Sequence, residues 1–267
     1  MKYSLTLIFG LLAFSNIFSQ SPKDKAYLLI KYEETSILDT TNLQKKNYDV
    51  MGLEIGKLMS KFYSISLVET RKALEEQIKQ GGSIDFTKLN TSKNKRGKDE
   101  VILKNYTTNQ VSMFEKLGVF SYTFQEPTPI INWQIQPDTM SILNYSCQKA
   151  ICQFKGRIYE AWFTSSINVS DGPWKFTGLP GLILKVIESR GHFIFECKSI
   201  EKIENEISYI NSKAQKVSKE QFLDLKKQYI DNPIPFMSDG KTGFKLDTTT
   251  PSTLPKRFYN PMELTEK

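Results

Sequence analysis

The stretch from Asp171 to Glu188, Asp171-Gly-Pro-Trp-Lys-Phe-Thr-Gly-Leu-Pro-Gly-Leu-Ile-Leu-Lys-Val-Ile-Glu188, most narrows the folds open to this chain. A loop dense in turn residues runs straight into an apolar strand. Pro180 holds φ near −65° and Gly181 accepts a positive φ, so Leu179-Pro180-Gly181-Leu182 reads as a type II turn. Gly178, without a Cβ, lets other backbone come close. Five of the six residues from Leu182 to Ile187 are apolar, the pattern of a strand buried on both faces. A rigid turn beside a buried strand marks a corner of the core. That corner carries no group able to move a proton, hold a metal or attack a carbonyl.

The ends of the chain set the compartment. Met1-Lys2 is a short basic start, Leu5 to Phe18 is mostly apolar, and Ser19-Gln20 closes the run. Residues 1–20 therefore read as a secretory signal peptide, too short to serve as a membrane span of about 20 apolar residues. No second long apolar run follows, so no transmembrane span is expected after cleavage. Residues 21–267 then form a single β-rich domain ending in an extended, proline-containing tail, exported to the periplasm or the exterior. The net charge of +7 is spread along the chain. Its densest basic patch, Lys93 to Lys98, is read as a solvated loop rather than a nucleic-acid site.

Alternation of apolar and polar residues predicts strands over 26–34, 49–58, 61–68, 100–105, 110–116, 118–125 and 130–136. The clearest block follows. Tyr145 to Phe154 turns at Lys155-Gly156 into Arg157 to Thr164, and the strand from Leu182 turns at Ser189-Arg190-Gly191 into His192 to Ile200. Tyr159, Ala161 and Phe163 should share one face, and Phe193, Phe195 and Cys197 another. A further strand is expected over 205–213. Glu69 to Gln80 reads as a helix stopped at Gly81-Gly82. Ser218, three residues before Gln221, opens a second helix with a capping box, and Phe222, Leu225 and Tyr229 form its apolar stripe. The fold class that results is mainly β (α+β): a curved antiparallel meander sheet or half-barrel with one or two packed helices.

No residue set completes a catalytic device. His192 is the single histidine and stands beside no nucleophile elbow. Asp171 with Glu188 or Glu160 could form a carboxylate pair of the glycosidase kind, although chance pairs are common in a chain with this many carboxylates. Cys147, Cys152 and Cys197 read either as one disulfide plus a thiol or as three buried apolar residues. Cys147 and Cys152 have opposite strand parity, so a bridge would join Cys197 to one of them. No Cys/His spacing indicates a metal, and no cofactor is expected. Trp162, Trp174 and Phe176, flanked by Arg157 and Lys175, read as either an aromatic binding surface or core packing.

Gly178-Leu179-Pro180-Gly181-Leu182-Ile183, with Gly172-Pro173, Cys147 to Ala150, Phe154 to Arg157, Ala161 to Thr164 and the closing Tyr259 to Leu264, resembles the GLPGLI family of exported bacterial proteins. The resemblance implies an extracytoplasmic, β-rich protein of Gram-negative bacteria without an assigned activity. The function expected is a non-enzymatic binding or accessory protein of the cell envelope, with an envelope protein, a peptide or a lipid as partner. Its concrete version is an apolar groove like that of a lipoprotein carrier. The rivals are a hydrolase or a thiol enzyme centred on Cys147, and a structural partner in an outer-membrane complex.

Overall fold

The computed structural model describes residues 24–81, 85, 97–207, 213–238 and 257–264. The signal-peptide reading of residues 1–20 falls outside them. No helix among the described residues is long and apolar enough to cross a membrane.

The chain is mostly β. Twelve strands form one mixed sheet in the order β12-β6-β5-β4-β3-β2-β1-β11-β10-β9-β8-β7. The first run is β1 (Asp24–Ser36), β2 (Asn47–Ile55), β3 (Met59–Ser64), β4 (Val101–Asn105), β5 (Gln110–Leu117) and β6 (Phe120–Pro127). The second is β7 (Gln134–Ile142), β8 (Tyr145–Phe154), β9 (Arg157–Thr164), β10 (Leu182–Glu188) and β11 (Phe193–Ile207). Each run pairs consecutive strands antiparallel, and β1 joins the two by pairing with β11. The two-residue β12 (Gln215–Lys216) adds to β6 in parallel, which makes the sheet mixed.

The connection from β6 to β7 shows how strongly this sheet curls. The two strands lie ten positions apart in the order, roughly 48 Å if the sheet were flat. Yet Pro127 and Gln134 are seven Cα steps apart in sequence, a reach of about 24 Å at most. The sheet must therefore bend until its two ends approach, which gives it a concave face.

That face is filled. Phe62 and Phe195, from opposite halves, meet edge to face with ring centroids 6.0 Å apart. Ile30, Tyr32, Leu53, Ile102, Met113, Ala161 and Val186 belong to the same buried cluster. The predicted facing of β9 and β11 holds: Tyr159, Ala161 and Phe163 are buried, as are Phe193, Phe195 and Cys197. Helix α2 (Lys219–Asp231) opens with the predicted capping box at Ser218 and Gln221 and lays Phe222 on Phe124, centroids 5.1 Å apart. A short 3-10 turn, Ile234–Phe236, follows it.

Three local expectations change. The strand expected over 61–68 stops at Ser64, whose Oγ accepts from Leu67 N and caps α1 (Ile65–Lys79). Ser64 is itself held by Asp49, so a cap overrides β-branched propensity at Ile65 and Val68. The strand expected over 205–213 is instead the end of β11, and residues 208–212 lie outside the described ones. The corner at Pro180 is a γ-turn rather than a type II turn. Gly181 N bonds Leu179 O at 2.8 Å, while Leu182 N is drawn away to Ile167 O at 3.2 Å. Gly181 has φ +150°, and a Cβ on it would sit 2.1 Å from Thr164 O. The glycine is required by close approach to the end of β9. By contrast, the Lys155-Gly156 hairpin turn has positive φ at both residues, the type I′ geometry that short antiparallel hairpins favour.

Candidate functional site

Three loops meet at one rim of the sheet: the β2–β3 hairpin at Gly56 and Lys57, the β4–β5 turn from Asn105 to Asn109, and the segment 168–177 that precedes β10. Between them lies a cleft of about 460 Å³. Asn105, Asn109, Asn168, Thr128, Ser170 and Thr177 line it together with Val169 and the rings of Tyr27 and Tyr106. Among the described residues no carboxylate lines it; the charged groups there are Lys57 and Lys104.

The loops are held by their own polar groups. Asn105 Oδ1 accepts from Thr107 N and Oγ1 and from Thr108 N, shaping the β4–β5 turn. Asn109 stands at φ +50°, a conformation asparagine tolerates, and its carbonyl accepts from Thr128 N. Ser170 Oγ accepts from Gly178 N at 3.1 Å. Trp133 Nε1 donates to Thr177 O at 2.9 Å.

Beneath the cleft is a buried charge pair. Strand β4 turns Ile102 and Lys104 to the same inner face, and Lys104 is 2% exposed beside the fully buried Asp171. Lys104 Nζ contacts Asp171 Oδ1 and donates to Gly172 O at 2.7 Å. Gly172 N donates to the same carboxylate oxygen at 2.6 Å. Asp171 Oδ2 accepts from Ser60 Oγ at 2.6 Å and from Tyr106 OH at 2.5 Å. These four donors occupy the acceptor capacity of a carboxylate. Asp171 is therefore a fastening point between β3, β4 and the loop, with no lone pair left for a proton transfer. Burial lowers the Lys104 pKa, an effect Asp171 partly offsets. Burial, with Asp171 next, raises both Tyr106 and Tyr27, so both are neutral phenols.

The residues singled out from sequence take other places. Trp174 is 4% exposed and Phe176 fully buried; they pack on one another and on Phe154, and Phe176 also on Tyr159. Their rings belong to the core. Trp162 stands on the outer face of β9, its Nε1 bonded to Glu160 and Lys149 lying over its ring. Arg157 is buried against Glu188 at 3.3 Å and against the C-terminal segment. The glycosidase-like pair does not form. Asp171 is saturated, Glu188 is taken by Arg157 and by the N–H groups of Arg190 and His192, and Glu160 faces outward to Lys149. His192 engages through its backbone, while its buried Nδ1 has no hydrogen-bond partner among the described residues.

All three cysteines are free and buried, which corrects the disulfide expectation. β11 and β8 are separated by β10 and β9, roughly 14 Å along the sheet, whereas a bridge needs Cα atoms within about 7 Å. Burial raises the Cys147 thiol and pushes Cys152 and Cys197 up to about 12, the opposite of an activated nucleophile. Among the described residues, no group of three His, Cys, Asp or Glu side chains could hold a metal ion. The lipid-carrier analogy is also set aside, because Trp174, Phe176, Leu179 and Phe222 occupy the concave face.

Lys104, Tyr106, Ser60 and Tyr27 went unnoticed in the sequence. One signal was present: Lys104 shares parity with Ile102, so a buried lysine there requires an acidic partner.

A solved structure of PNGF-II in a C2 crystal form shares the fold. The C2 form matches with a TM-score of 0.51 at 19% identity, over 78% of this chain and 33% of that one. The P21 form matches with a TM-score of 0.49 at 19% identity, over 77% and 34%. The chain thus spans about a third of the length of the solved chains it matches, and at this identity the likeness shows the fold alone. No curated protein matches the chain. A family profile described as "N-glycanase peptide, N-terminal domain" matches residues 86–227. That match overturns the GLPGLI assignment: the hexapeptide Gly178 to Ile183 answers to a local requirement, the tight passage of Gly181 against Thr164, and does not carry a family. With just over half of its length matched, the chain belongs to the N-glycanase peptide, N-terminal domain family.

Proposed function

We propose that this chain is an exported, non-catalytic saccharide-binding module whose ligand enters the cleft between Tyr27, Asn105, Tyr106 and Thr177. The observation that carries the reading is the wall of that cleft. Amides and hydroxyls at three loops, beside two neutral phenol rings and Val169 and with no carboxylate among the described residues, match a ligand that offers hydroxyl groups together with the apolar face of a sugar ring. Tyr27 is 41% exposed and offers a face for a sugar ring. Asn105 spends its Oδ1 on its own turn and keeps its Nδ2 for a ligand oxygen. The family supports the same direction, since an N-glycanase handles N-linked glycans. The saturation of Asp171 favours binding over turnover. An exported accessory role agrees with the apolar start of the chain.

Titration of the chain with N-linked oligosaccharides by calorimetry or saturation-transfer NMR tests this. Binding is expected, and Tyr27→Ala, which removes the ring face, and Asn105→Ala, which removes a hydrogen bond, should each weaken it about fivefold, a loss of about 1 kcal/mol. A panel of glycans that all fail to bind would sink the reading. So would release of glycan from a glycopeptide that Asp171→Asn abolishes.

A further inference from the structure

The segment 257–264 lies across the concave side as a strap, anchored by side chains of Arg157, Tyr159, Lys175 and Lys219 and by two backbone carbonyls of other elements. Arg157 donates from Nε and Nη2 to Pro261 O, at 3.1 and 2.7 Å, and from Nη2 to Asn260 Oδ1 at 2.5 Å. Asn260 Nδ2 donates to Ile37 O at 2.7 Å, and Tyr159 OH to Met262 O at 2.8 Å. Leu264 N bonds Lys155 O at the β8–β9 turn. Glu263 then reaches a four-membered ionic cluster. Lys175 contacts both Glu126 and Glu263, and Lys219 Nζ lies 2.7 Å from Glu126 and 2.8 Å from Glu263.

Lys175 connects this cluster to the cleft. It is 3% exposed and sits four residues after Asp171 and two before Thr177. Between Asp171 and Lys175, Trp174 is held at φ +52°, an unfavourable conformation for a bulky residue. A Phe176 N to Pro173 O bond of 3.1 Å closes the turn around it. A strained turn persists only when its surroundings hold it. Here the holders are the aromatic packing of Trp174 and the ionic grip on Lys175, half of which is supplied by Glu263 of the strap.

We propose that the strap is a latch that sets the 171–178 loop, so that the geometry of the cleft depends on whether the strap is seated. Glu263 and Asn260 are then positioning residues for a cleft they do not touch. The significance of the latch for binding rests on the saccharide reading, but the coupling itself does not, and its test uses no ligand.

Hydrogen exchange of the full chain, followed by mass spectrometry, tests it in the wild type, Glu263→Gln and Asn260→Ala. Segments covering 172–178 should exchange at least about tenfold faster in both variants, together with 258–264, while β2 remains protected. Deprotection of 258–264 with unchanged exchange at 172–178 would overturn the latch, as would unchanged exchange at both. If β2 also deprotects in Glu263→Gln, that variant has lost its fold. Asn260→Ala, which removes no charge from the ionic cluster, then decides alone. Loss of glycan binding with intact coupling would count against the cleft and leave the latch standing.

Discussion

Asp171→Asn changes one buried charge and almost no volume, which makes it a clean probe of the node beneath the cleft. The amide can still bond Ser60 and Tyr106, since hydroxyls both donate and accept. Lys104 cannot adapt as easily: at 2% exposure it would be left as an unpaired buried cation, a loss of about 3–5 kcal/mol. A ceiling follows from proton binding. The variant can always escape by burying neutral lysine, and from the ordinary lysine value of 10.5 this costs about 4.8 kcal/mol at pH 7 and about 2 kcal/mol at pH 9. Burial already places the folded Lys104 below its ordinary value, and removal of Asp171 lowers it further. The folded variant thus binds fewer protons than the unfolded chain, and its stability must rise with pH. Urea melts at pH 7 and pH 9 should show a deficit of about 3–5 kcal/mol against wild type that shrinks to about 2 kcal/mol or less. Adding Lys104→Met to Asp171→Asn should recover part of the loss, because no buried charge remains. A deficit under about 1 kcal/mol at pH 7, or one that does not shrink as pH rises, would refute the assignment of a charged, fastening pair.

Two glycines separate backbone conformation from close approach. Gly191→Ala, at φ +70° with nothing within 4 Å of the new Cβ, should cost about 1–2 kcal/mol in a thermal or denaturant melt. Gly181→Ala, at φ +150° and 2.1 Å from Thr164 O, should add an overpacking cost of about 1–3 kcal/mol on top of backbone strain; equal losses would remove the close-approach account of the corner. Acid should loosen the strap. Burial alone would raise the Glu263 carboxyl, but Lys175 and Lys219 hold it below its ordinary 4.5, so its contribution is complete above that value and is lost as pH falls through the folded one. Glu263→Gln should flatten the acid limb of the stability curve, and an unchanged limb would show that Glu263 does not act there.

What could be read in the sequence and what could not divide along a physical line. Alternation reports which side of a strand faces the core, and for β8 to β11 it placed Tyr159, Ala161, Phe163, Phe193 and Phe195 correctly. Short turns with demanding backbone also announce themselves, as Lys155-Gly156 and the Ser218 capping box did. The Pro180 corner was recognised as a corner but given the wrong hydrogen bond, because its geometry is set by Ile167 and Thr164. The cleft shows the same limit more sharply. Its node joins Ser60 on β3, Lys104 on β4 and Asp171 on a loop 67 residues beyond Lys104. In sequence, Val-Ile-Leu-Lys-Asn is apolar at both parities, so the shared parity of Lys104 and Ile102 becomes telling only once the inward face of the strand is known. Only the curl of the sheet sets the loop over β3 and β4 and makes a buried lysine tolerable. Aromatic residues drew attention for the opposite reason: Trp174 and Phe176 are conspicuous in sequence because they are large, and size is what the core needed. In a chain of this kind the ligand-facing groups are short amides and hydroxyls at loop ends, which no periodicity marks. A buried charge found at a strand position of inward parity is then the better guide, because it must be paid for by a partner brought from elsewhere in the fold.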